Sequence, residues 1–251
     1  MPESGSQYIS RSRVLDAQSC SWAQETHENL VRELTSRIYL VRHGETEANR
    51  REIVQGQLDT HLNKSGVEQA VLVSSALQKI SFDEGYSSDL SRASKTAEMI
   101  LECHPHVKLR KQSELRERHL GRLQGQTQAQ KRAFGDINSD PTAESSDAFI
   151  TRSLSWWDDS IRHHLETLPD RATPYRILVV SHGGFISTLI KNLLAKKCIA
   201  KAVNVNDWRC YNCSVSIIDI RKDKAEIVQY SDISHLGSSK VVESNADTED
   251  K

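Results

Sequence analysis

The sequence lacks the features that mark membrane-spanning and secreted proteins. No run of apolar residues approaches the roughly 20 that a helix needs to cross a bilayer. The first residues, Met-Pro-Glu-Ser-Gly-Ser, contain no apolar signal core. Five cysteines without a disulfide pattern indicate a reducing compartment. We therefore expect a cytoplasmic protein with no membrane partner, and an additional nuclear location stays open.

An excess of charge of either sign is also missing. The 251 residues include 33 lysines and arginines against 34 aspartates and glutamates, a formal net charge of −1. The net charge therefore gives no reason to expect a nucleic acid as partner, and any affinity for anions must come from local clusters of basic residues. Hydrophobic residues make up 37% and charged residues 27%, a balance that predicts a packed core under a polar surface.

Motifs that bind metals are scarce. Cys210 and Cys213 are the one cysteine pair at metal or redox spacing, and the sequence has no second pair. A structural zinc site takes four ligands, so we interpret these two cysteines as small buried hydrophobic residues. We expect neither a metal nor a cofactor.

Two apolar runs end in the same kind of polar segment. Residues 38–41, Ile-Tyr-Leu-Val, have the composition of a buried strand and lead into Arg-His-Gly at residues 42–44. Residues 176–181 form a second such run and lead into His-Gly-Gly at residues 182–184. Ligands of open α/β sheets bind at the carboxyl ends of the strands. The two runs therefore predict two imidazoles at one edge of one sheet.

Strand patterns alternate with amphipathic helix patterns along the chain. This alternation predicts an α/β fold, a three-layer sandwich with a mainly parallel sheet and helices on both faces. The predicted strands cover residues 38–41, 82–87, 107–109, 176–181, 214–220 and 225–230, the last two as a hairpin. Four longer helices are predicted. The first begins with a capping box at residues 65–68, and the second has Asp89 as its N-cap and continues to about Glu102. The third has Asp147 as its N-cap, and the fourth covers residues 183–195.

Composition divides the chain into three parts. Residues 1–36 are polar with weak periodicity, and we expect a partly disordered N-terminal extension. Residues 37–236 form one domain with an inserted polar lid at about residues 110–147. Residues 237–251 are rich in serine, aspartate and glutamate and are expected to be a disordered acidic tail.

The segment after the first strand resembles a known family signature. Arg-His-Gly-Glu-Thr at residues 42–46, with Asn49 following, is similar to the signature of the histidine phosphatase superfamily, in its phosphoglycerate mutase branch. The likeness covers roughly residues 37–220, and several separate motifs support it in the expected chain order. It implies a phosphoglycerate mutase-like fold for the domain.

The resemblance also implies roles for individual residues. His43 is implied as the nucleophile that becomes phosphohistidine, with Arg42, Arg92 and His182 as ligands of the phosphate oxygens. For Arg92 the alternative is an ordinary surface arginine early in a helix. The family positions that line the phosphate or substrate pocket correspond here to Asn49, Gln55, Gly56 and Gly183.

A carboxyl group is needed to protonate the leaving oxygen and later to deprotonate water. The resemblance implies Glu117 for this role, because Leu-x-Glu-Arg followed by Gly-x-Leu-Gln-Gly matches this branch. By spacing alone, Glu117 is instead a glutamate in salt bridges with its neighbours Arg116 and Arg118. Glu114 and Glu45 are alternative acids.

Charge balance gives a further reason to expect a phosphate site. If His43, His182 and the two arginines converge, four potential cations lie together without matching carboxylates, an unstable cluster unless it holds an anion. Guanidinium groups match phosphate oxygens in pairs, and helix N-termini add backbone donors. Such a site needs no metal, since the arginines take the place of magnesium.

The sequence departs from glycolytic mutases at four positions. Mutases have tyrosine, lysine, a second arginine and asparagine where this chain has Leu120, Gln128, the single Arg152 and Gly184. The missing groups hold the free carboxylate and the second phosphate of a bisphosphoglycerate. We therefore predict a phosphatase acting on small phosphorylated metabolites.

Three alternatives remain at this point. A phosphoglycerate mutase and a fructose-2,6-bisphosphatase-like sugar bisphosphatase share the same core. An inactive module that binds phospho-ligands would require loss of His43 or Glu117, and both are present. Whether copies of the chain form a homo-oligomer stays open.

Overall fold

The computed structural model describes residues 34–222 and 224–237, which contain a single seven-stranded sheet. In chain order the strands are β1 Leu34–Arg42, β2 Glu84–Ser88, β3 Leu109–Gln112, β4 Tyr175–Ser181, β5 Ala200–Lys201, β6 Val215–Arg221 and β7 Ala225–Asp232. Their spatial order is β3-β2-β4-β1-β6-β7-β5. All neighbours pair in parallel except β6, which runs antiparallel to both β1 and β7. The predicted mainly parallel sheet and its final hairpin are confirmed.

Seven α-helices lie among these strands in the described residues. They are α1 Glu47–Arg50, α2 Lys64–Leu77, α3 Ser91–Leu101, α4 Gln128–Phe134, α5 Ser146–Trp157, α6 His163–Glu166 and α7 Gly183–Ala195. A π-helical turn, Asp158–Arg162, joins α5 to α6. Short 3-10 helices are Ser113–Leu115, Gly121–Leu123, Ile137–Ser139 and Ser234–Leu236. No helix in the described ranges is long and apolar enough to cross a membrane.

The central strand β1 is buried on both of its faces. Successive strand residues face opposite ways, so Tyr39 and Val41 pack in one cluster with α2 and α3. Ile38 and Leu40 pack in a second cluster with α5 and α7. Both faces of the sheet therefore carry helices, and the predicted three-layer sandwich is confirmed.

The predicted start of α2 is wrong by two residues. The sequence predicts a capping box at residues 65–68, but α2 begins at Lys64 and its N-cap is Asn63. The Asn63 side chain accepts a hydrogen bond from Gly66 N at 2.8 Å. Asparagine and serine both cap helices well, so residue type alone did not identify the cap.

The predicted caps of α3 and α5 are also wrong. Leu90 occupies the N-cap of α3 without a side-chain hydrogen bond, because the Asp89 carboxylate pairs with Arg116 at 2.7 and 2.6 Å. The N-cap of α5 is Ser145, which accepts from Ala148 N at 3.1 Å. By contrast, the predicted bounds of α7 are confirmed.

The ends of the chain lie mostly outside the described residues. The predicted extension, residues 1–36, is described only from Leu34, where β1 already begins. The predicted tail, residues 237–251, is described only at Gly237. Within the predicted lid, the first residues belong to edge strand β3, and we call residues 113–145 the lid segment.

Candidate active site

His43 and His182 lie side by side at the carboxyl edge of the sheet. Arg42, the last residue of β1, is opposite Ser181, the last residue of β4. His43 N donates to Ser181 O at 3.0 Å, so the chain segments stay adjacent beyond the strands. The centroids of the two imidazole rings are 5.1 Å apart, with an angle of 62° between the ring planes. The parallel register thus places two histidines that are 139 positions apart in one buried site.

The contacts of His43 define its tautomer. Its Nδ1 lies 2.7 Å from the carbonyl oxygen of Gly44. A carbonyl only accepts, so Nδ1 carries the proton and Nε2 of the neutral ring keeps its lone pair. Arg92 Nε donates toward that lone pair at 3.3 Å. His43 therefore presents an unprotonated Nε2 to the site.

Arg92 is buried in the first turn of α3 and is held by backbone carbonyls. Its Nη1 donates to Leu58 O at 2.7 Å and its Nη2 to Gly56 O at 2.8 Å. Gly56 adopts a φ of +50°, and a Cβ there would lie 2.5 Å from Gln124 Oε1. The glycine thus lets the loop bend closely around the guanidinium. The alternative of an exposed surface arginine is wrong, because Arg92 is 0% exposed.

Arg42 is fixed by the segment before β6. Its Nη1 donates to Cys210 O at 2.6 Å. Cys213 N donates to the carbonyl oxygens of Arg42 and His43, and Asn212 Nδ2 donates to His43 O at 3.0 Å. Sequence reasoning missed Asn212, since no local pattern singles it out. Its contact spans 169 positions of the chain.

The cysteines in that segment behave as the sequence predicted. Cys210 and Cys213 are buried and free. Burial raises the pKa of both thiols, which keeps them protonated and unreactive. Within the described parts of the chain, no group of three or more histidine, cysteine, aspartate or glutamate residues is arranged to hold a metal ion.

Burial and nearby cations shift the pKa values of both histidines downward. Burial, followed by the charges of Arg92 and Arg42, holds the pKa of His43 well below its usual 6.5. The same burial and the charges of Arg92, His43 and Arg42 lower the pKa of His182. Neither ring nitrogen of His182 has a hydrogen-bond partner among the described residues. Two neutral imidazoles and two guanidiniums form a site suited to a dianion.

Glu117 reaches this edge from the lid segment. Its carboxylate accepts from Gly184 N at 2.8 Å and from Arg118 N at 2.9 Å, and it is 2% exposed. Arg116, one of the two neighbours that spacing alone would pair with Glu117, forms its ion pair with Asp89. A Cβ at residue 184 would overlap the Glu117 carboxylate. Glycine at 184 therefore leaves the room that this carboxylate occupies.

The two alternative acids lie elsewhere. Glu45 is buried, but it pairs with Arg50 at 2.7 Å and accepts from Asn63 at 2.5 Å. Glu114 is exposed in the 3-10 helix Ser113–Leu115. Geometry therefore favours Glu117 among the three candidates.

Arg152 on α5 holds the backbone on either side of Glu117. Its Nη1 donates to Glu114 O at 2.6 Å and to Arg116 O at 2.9 Å, and its Nη2 donates to Glu117 O at 3.3 Å. Its Nε and Nη2 also pair with Glu144 at 2.9 and 2.8 Å. The sequence indicates this arginine only as the single counterpart of an arginine pair in mutases, and its contacts around Glu117 come from the tertiary structure.

Asn49 and Gln55 form a buried network beside His43. Asn49 Oδ1 accepts from Thr46 N at 3.1 Å and from Asn212 Nδ2 at 3.4 Å. Gln55 Oε1 accepts from Thr46 Oγ1 at 2.9 Å and from Thr60 Oγ1 at 2.5 Å. Both predicted pocket residues thus fix the loop after β1.

Gly183 is the first residue of α7, and His182 is its N-cap. The predicted glycine therefore stands between the second histidine and Gly184, whose N–H binds Glu117. A helix N-terminus at this place directs backbone donors and positive partial charge toward the site.

A comparison with protein families shows which family the chain belongs to. The family model described as histidine phosphatase superfamily (branch 1) matches residues 38–233. The chain belongs to this superfamily. The predicted membership, and the predicted class of enzyme, a phosphatase of the histidine phosphatase superfamily, are confirmed at this level.

Individual relatives agree with this assignment. The chain is 30% identical over 230 residues to a metal-independent phosphoserine phosphatase of Arabidopsis thaliana, with 86% of this chain and 89% of the relative covered. It is 31% identical over 219 residues to a broad-specificity phosphatase of Saccharomyces cerevisiae, with 83% and 91% covered. The crystal structure of a phosphoglycerate mutase from Bacillus anthracis superimposes with a TM-score of 0.64 at 26% identity, over 83% of this chain and 98% of that chain. The phosphoglycerate mutase-like fold is confirmed.

A cavity of about 270 Å³ adjoins the Glu117 side of this histidine phosphatase site. Glu117 and Gly184 line it, together with residues of α5, α7, the lid segment and residues 207–209. The two histidines, Arg42 and Arg92 are absent from its lining. Glu117 and Gly184 thus belong both to the site and to the lining of the adjoining cavity.

Proposed function

We propose that this protein hydrolyses phosphate monoesters of small metabolites through a phosphohistidine on His43, without a metal ion. One observation carries the proposal. The Nε2 lone pair of His43 faces into a buried group of two guanidiniums and a second imidazole. A nucleophile in such surroundings suits a phosphate dianion, whose charge these groups balance.

In the first step, Nε2 of His43 attacks phosphorus in line with the leaving oxygen. The new N–P bond forms as the P–O bond breaks, and the leaving oxygen takes a proton from Glu117. Nδ1–H of His43 stays bonded to Gly44 O throughout, which supports the positive charge that develops on the ring. Arg42, Arg92 and His182 stabilise the three equatorial oxygens, an effect worth about 3–4 kcal/mol for a single essential donor.

In the second step, water attacks the phosphorus of the phosphohistidine. The Glu117 carboxylate accepts a proton from this water, the N–P bond breaks, and inorganic phosphate leaves. His43 and a protonated Glu117 are restored, so one carboxyl group serves as acid and then as base.

The arginines support the proposed independence from metals. Phosphoryl-transfer enzymes often neutralise phosphate oxygens with magnesium, whereas here buried guanidiniums occupy that role. The Arabidopsis relative is named as metal-independent, which agrees with this part of the proposal.

A phosphoglycerate mutase is the second candidate, favoured by the likeness to the Bacillus anthracis structure. Leu120 argues for hydrolysis, because it packs with Val54 and Leu123 and supplies no polar group. Gly184 likewise lacks the amide side chain that mutases have there. A sugar bisphosphatase remains a narrower version of the phosphatase proposal.

The test measures phosphate release from a panel of phosphorylated metabolites, with a chelator present and with 3-phosphoglycerate also monitored for conversion to 2-phosphoglycerate. We expect release by the wild type and a loss of at least about 10⁴-fold in His43→Ala. His163→Ala, at an exposed histidine of α6, is the matched control. Activity that survives His43→Ala, or that needs added magnesium, would contradict the proposal.

A further inference from the structure

A neutral His43 ring can carry its proton on either nitrogen, and only one of the two forms is a nucleophile at Nε2. Burial and the charges of Arg92 and Arg42 hold the pKa of His43 well below 6.5, so the ring is neutral at neutral pH. The proposed function, on which this step rests, needs the proton on Nδ1 and the lone pair on Nε2. The acceptor that decides between the two forms is Gly44 O, 2.7 Å from Nδ1.

The Gly44 carbonyl belongs to a peptide unit that is also held from its other side. In the trans peptide between Gly44 and Glu45, the C=O and the N–H lie in one plane and point in opposite directions. Glu45 N donates to Gln69 Oε1 at 2.9 Å. A backbone N–H only donates, so the Gln69 atom that faces it is the amide oxygen. Gln69 therefore aims the Gly44 carbonyl toward His43.

Helix α2 brings Gln69 to this peptide. Gly66 and Gln69 are three positions apart, so they are neighbours on one face of α2. A Cβ at residue 66 would overlap Glu45 O, and glycine there lets this face lie directly on the loop. Asn63, the N-cap of α2, donates from its backbone N to Glu45 O at 2.9 Å. The start of the helix is thus fixed to the peptide that Gln69 holds.

A second side chain holds the preceding peptide unit. Gly44 N donates to Thr96 Oγ1 at 3.1 Å, and the Thr96 hydroxyl donates to Arg92 O at 2.8 Å. Because its one proton is directed to Arg92 O, Thr96 presents a lone pair to Gly44 N. Gln69 is 1% exposed and Thr96 0%, so solvent does not compete for either bond. Both peptide units that flank Gly44 are therefore bound by buried side chains.

We propose that Gln69 and Thr96 are positioning residues that keep the proton of the neutral His43 ring on Nδ1. They act through the Gly44 backbone and supply no group to the phosphate. Loss of either acceptor leaves a buried N–H without its bond, and the backbone at Gly44 turns toward another acceptor. The bond at Glu45 N also makes the Gly44 carbonyl a stronger acceptor, since chains of hydrogen bonds polarise one another.

The test combines spectroscopy of the His43 ring with single-turnover kinetics on Gln69→Leu and Thr96→Val, which replace the two acceptors with apolar atoms. Nitrogen-15 NMR shows which ring nitrogen is protonated, and His43→Ala assigns the signals. We expect only the Nδ1–H form in the wild type and a fraction of the Nε2–H form in both variants. The rate of phosphoenzyme formation from an aryl phosphate should fall about tenfold, and the dissociation constant for sulfate should change by less than about twofold.

Two matched variants separate positioning from a general structural defect. Thr96→Ser keeps the hydroxyl and should keep the Nδ1–H form and most of the rate. Gln78→Leu makes the same change as Gln69→Leu at an exposed glutamine at the end of α2, and should match the wild type.

Three outcomes overturn this inference but not the proposed function. They are an unchanged rate in Gln69→Leu and Thr96→Val, a slower rate with the Nδ1–H form unchanged, and a Thr96→Ser variant as slow as Thr96→Val. Absence of phosphate release from every ester by the wild type overturns the proposed function instead. The ring spectra of the two variants then still decide whether Gln69 and Thr96 hold the tautomer of His43.

Discussion

The two parts of the active site are held in different ways. The first part, which we call the phosphoryl part after its proposed role, is built from strand ends and a helix start. It consists of His43, His182, Arg42 and Arg92. Its central contact is a backbone hydrogen bond, His43 N to Ser181 O, that extends the parallel pairing of β1 and β4. The second part, which we call the acid part after its proposed role, consists of Glu117 on the lid segment, and individual side chains hold that segment in place.

This difference separates two kinds of mutational sensitivity. Sheet pairing holds His43 beside Ser181, and backbone carbonyls hold the two guanidiniums, so we expect the phosphoryl part to tolerate changes in the surrounding side chains, apart from the two that hold the Gly44 backbone. The acid part depends on Arg152 and on the space at Gly184. Changes there should therefore alter the dependence of the rate on the leaving group and leave phosphate binding nearly intact.

The largest effect on the acid part is expected from Glu117→Gln. The amide cannot supply the proton, so kcat for alkyl phosphates should fall by about 10²–10⁴-fold. Aryl phosphates with acidic phenols need less protonation and should lose less. Rates measured across a series of leaving groups check this, and an equal loss across the series would show that Glu117 is not the acid.

Gly184→Ala should have the next largest effect. The new Cβ overlaps the Glu117 carboxylate and displaces it, so kcat for alkyl phosphates should fall by up to about 100-fold. The double variant Gly184→Ala/Glu117→Gln should be little worse than Glu117→Gln alone, since both changes act through one group. Additive losses in kcat would mean that Gly184 affects another step.

Arg152→Ala should reduce kcat by about tenfold, with the larger loss on poor leaving groups. The variant loses the bonds to three carbonyl oxygens around Glu117. Arg152→Lys keeps the charge beside Glu144 but not the forked geometry, and an intermediate rate is expected. Arg162→Ala, at an exposed arginine of the following turn, is the control. A loss in Arg152→Ala that is the same for all leaving groups would indicate a general structural defect.

The smallest expected effect is that of pH on the protonation of the two histidines in the phosphoryl part. The pKa values of His43 and His182 lie well below 6.5 because of burial and the neighbouring arginines. Their neutral forms are therefore favoured in the folded state, and stability is lost as pH falls below about 6.5, where unfolded histidines take up protons. Histidine-ring NMR titration should give midpoints below 6.5 that rise when sulfate binds. Midpoints at or above 6.5 without an anion would contradict the described electrostatics.

The same contrast explains what could be predicted from the sequence. The apolar runs before His43 and His182 are local signals, and parallel pairing brings their ends together without further information. The charge argument for a phosphate site then followed from residue type. The fold class, the mainly parallel sheet and helix α7 were predictable because they too follow from local patterns in the sequence.

The acid part was predictable only through resemblance. Spacing alone favoured a salt-bridged Glu117, and no sequence pattern showed that Gly184, 67 positions away, supplies its N–H. The contacts of Arg152 and Asn212 likewise join side chains to distant backbone groups. Such contacts follow from tertiary packing and leave no periodic trace. The predicted N-cap of α3 is wrong for a related reason, because the Asp89 carboxylate pairs with Arg116, which is distant in the sequence.

The central claim is that the phosphoryl group of the substrate passes through Nε2 of His43. Rapid acid-free quenching during turnover of a phosphorus-labelled substrate, followed by peptide mass spectrometry, tests it directly. We expect one acid-labile, base-stable phosphate on the peptide that contains residues 42–44, and none in His43→Ala. Label on another residue, or full turnover with no labelled protein at any quench time, would contradict the account.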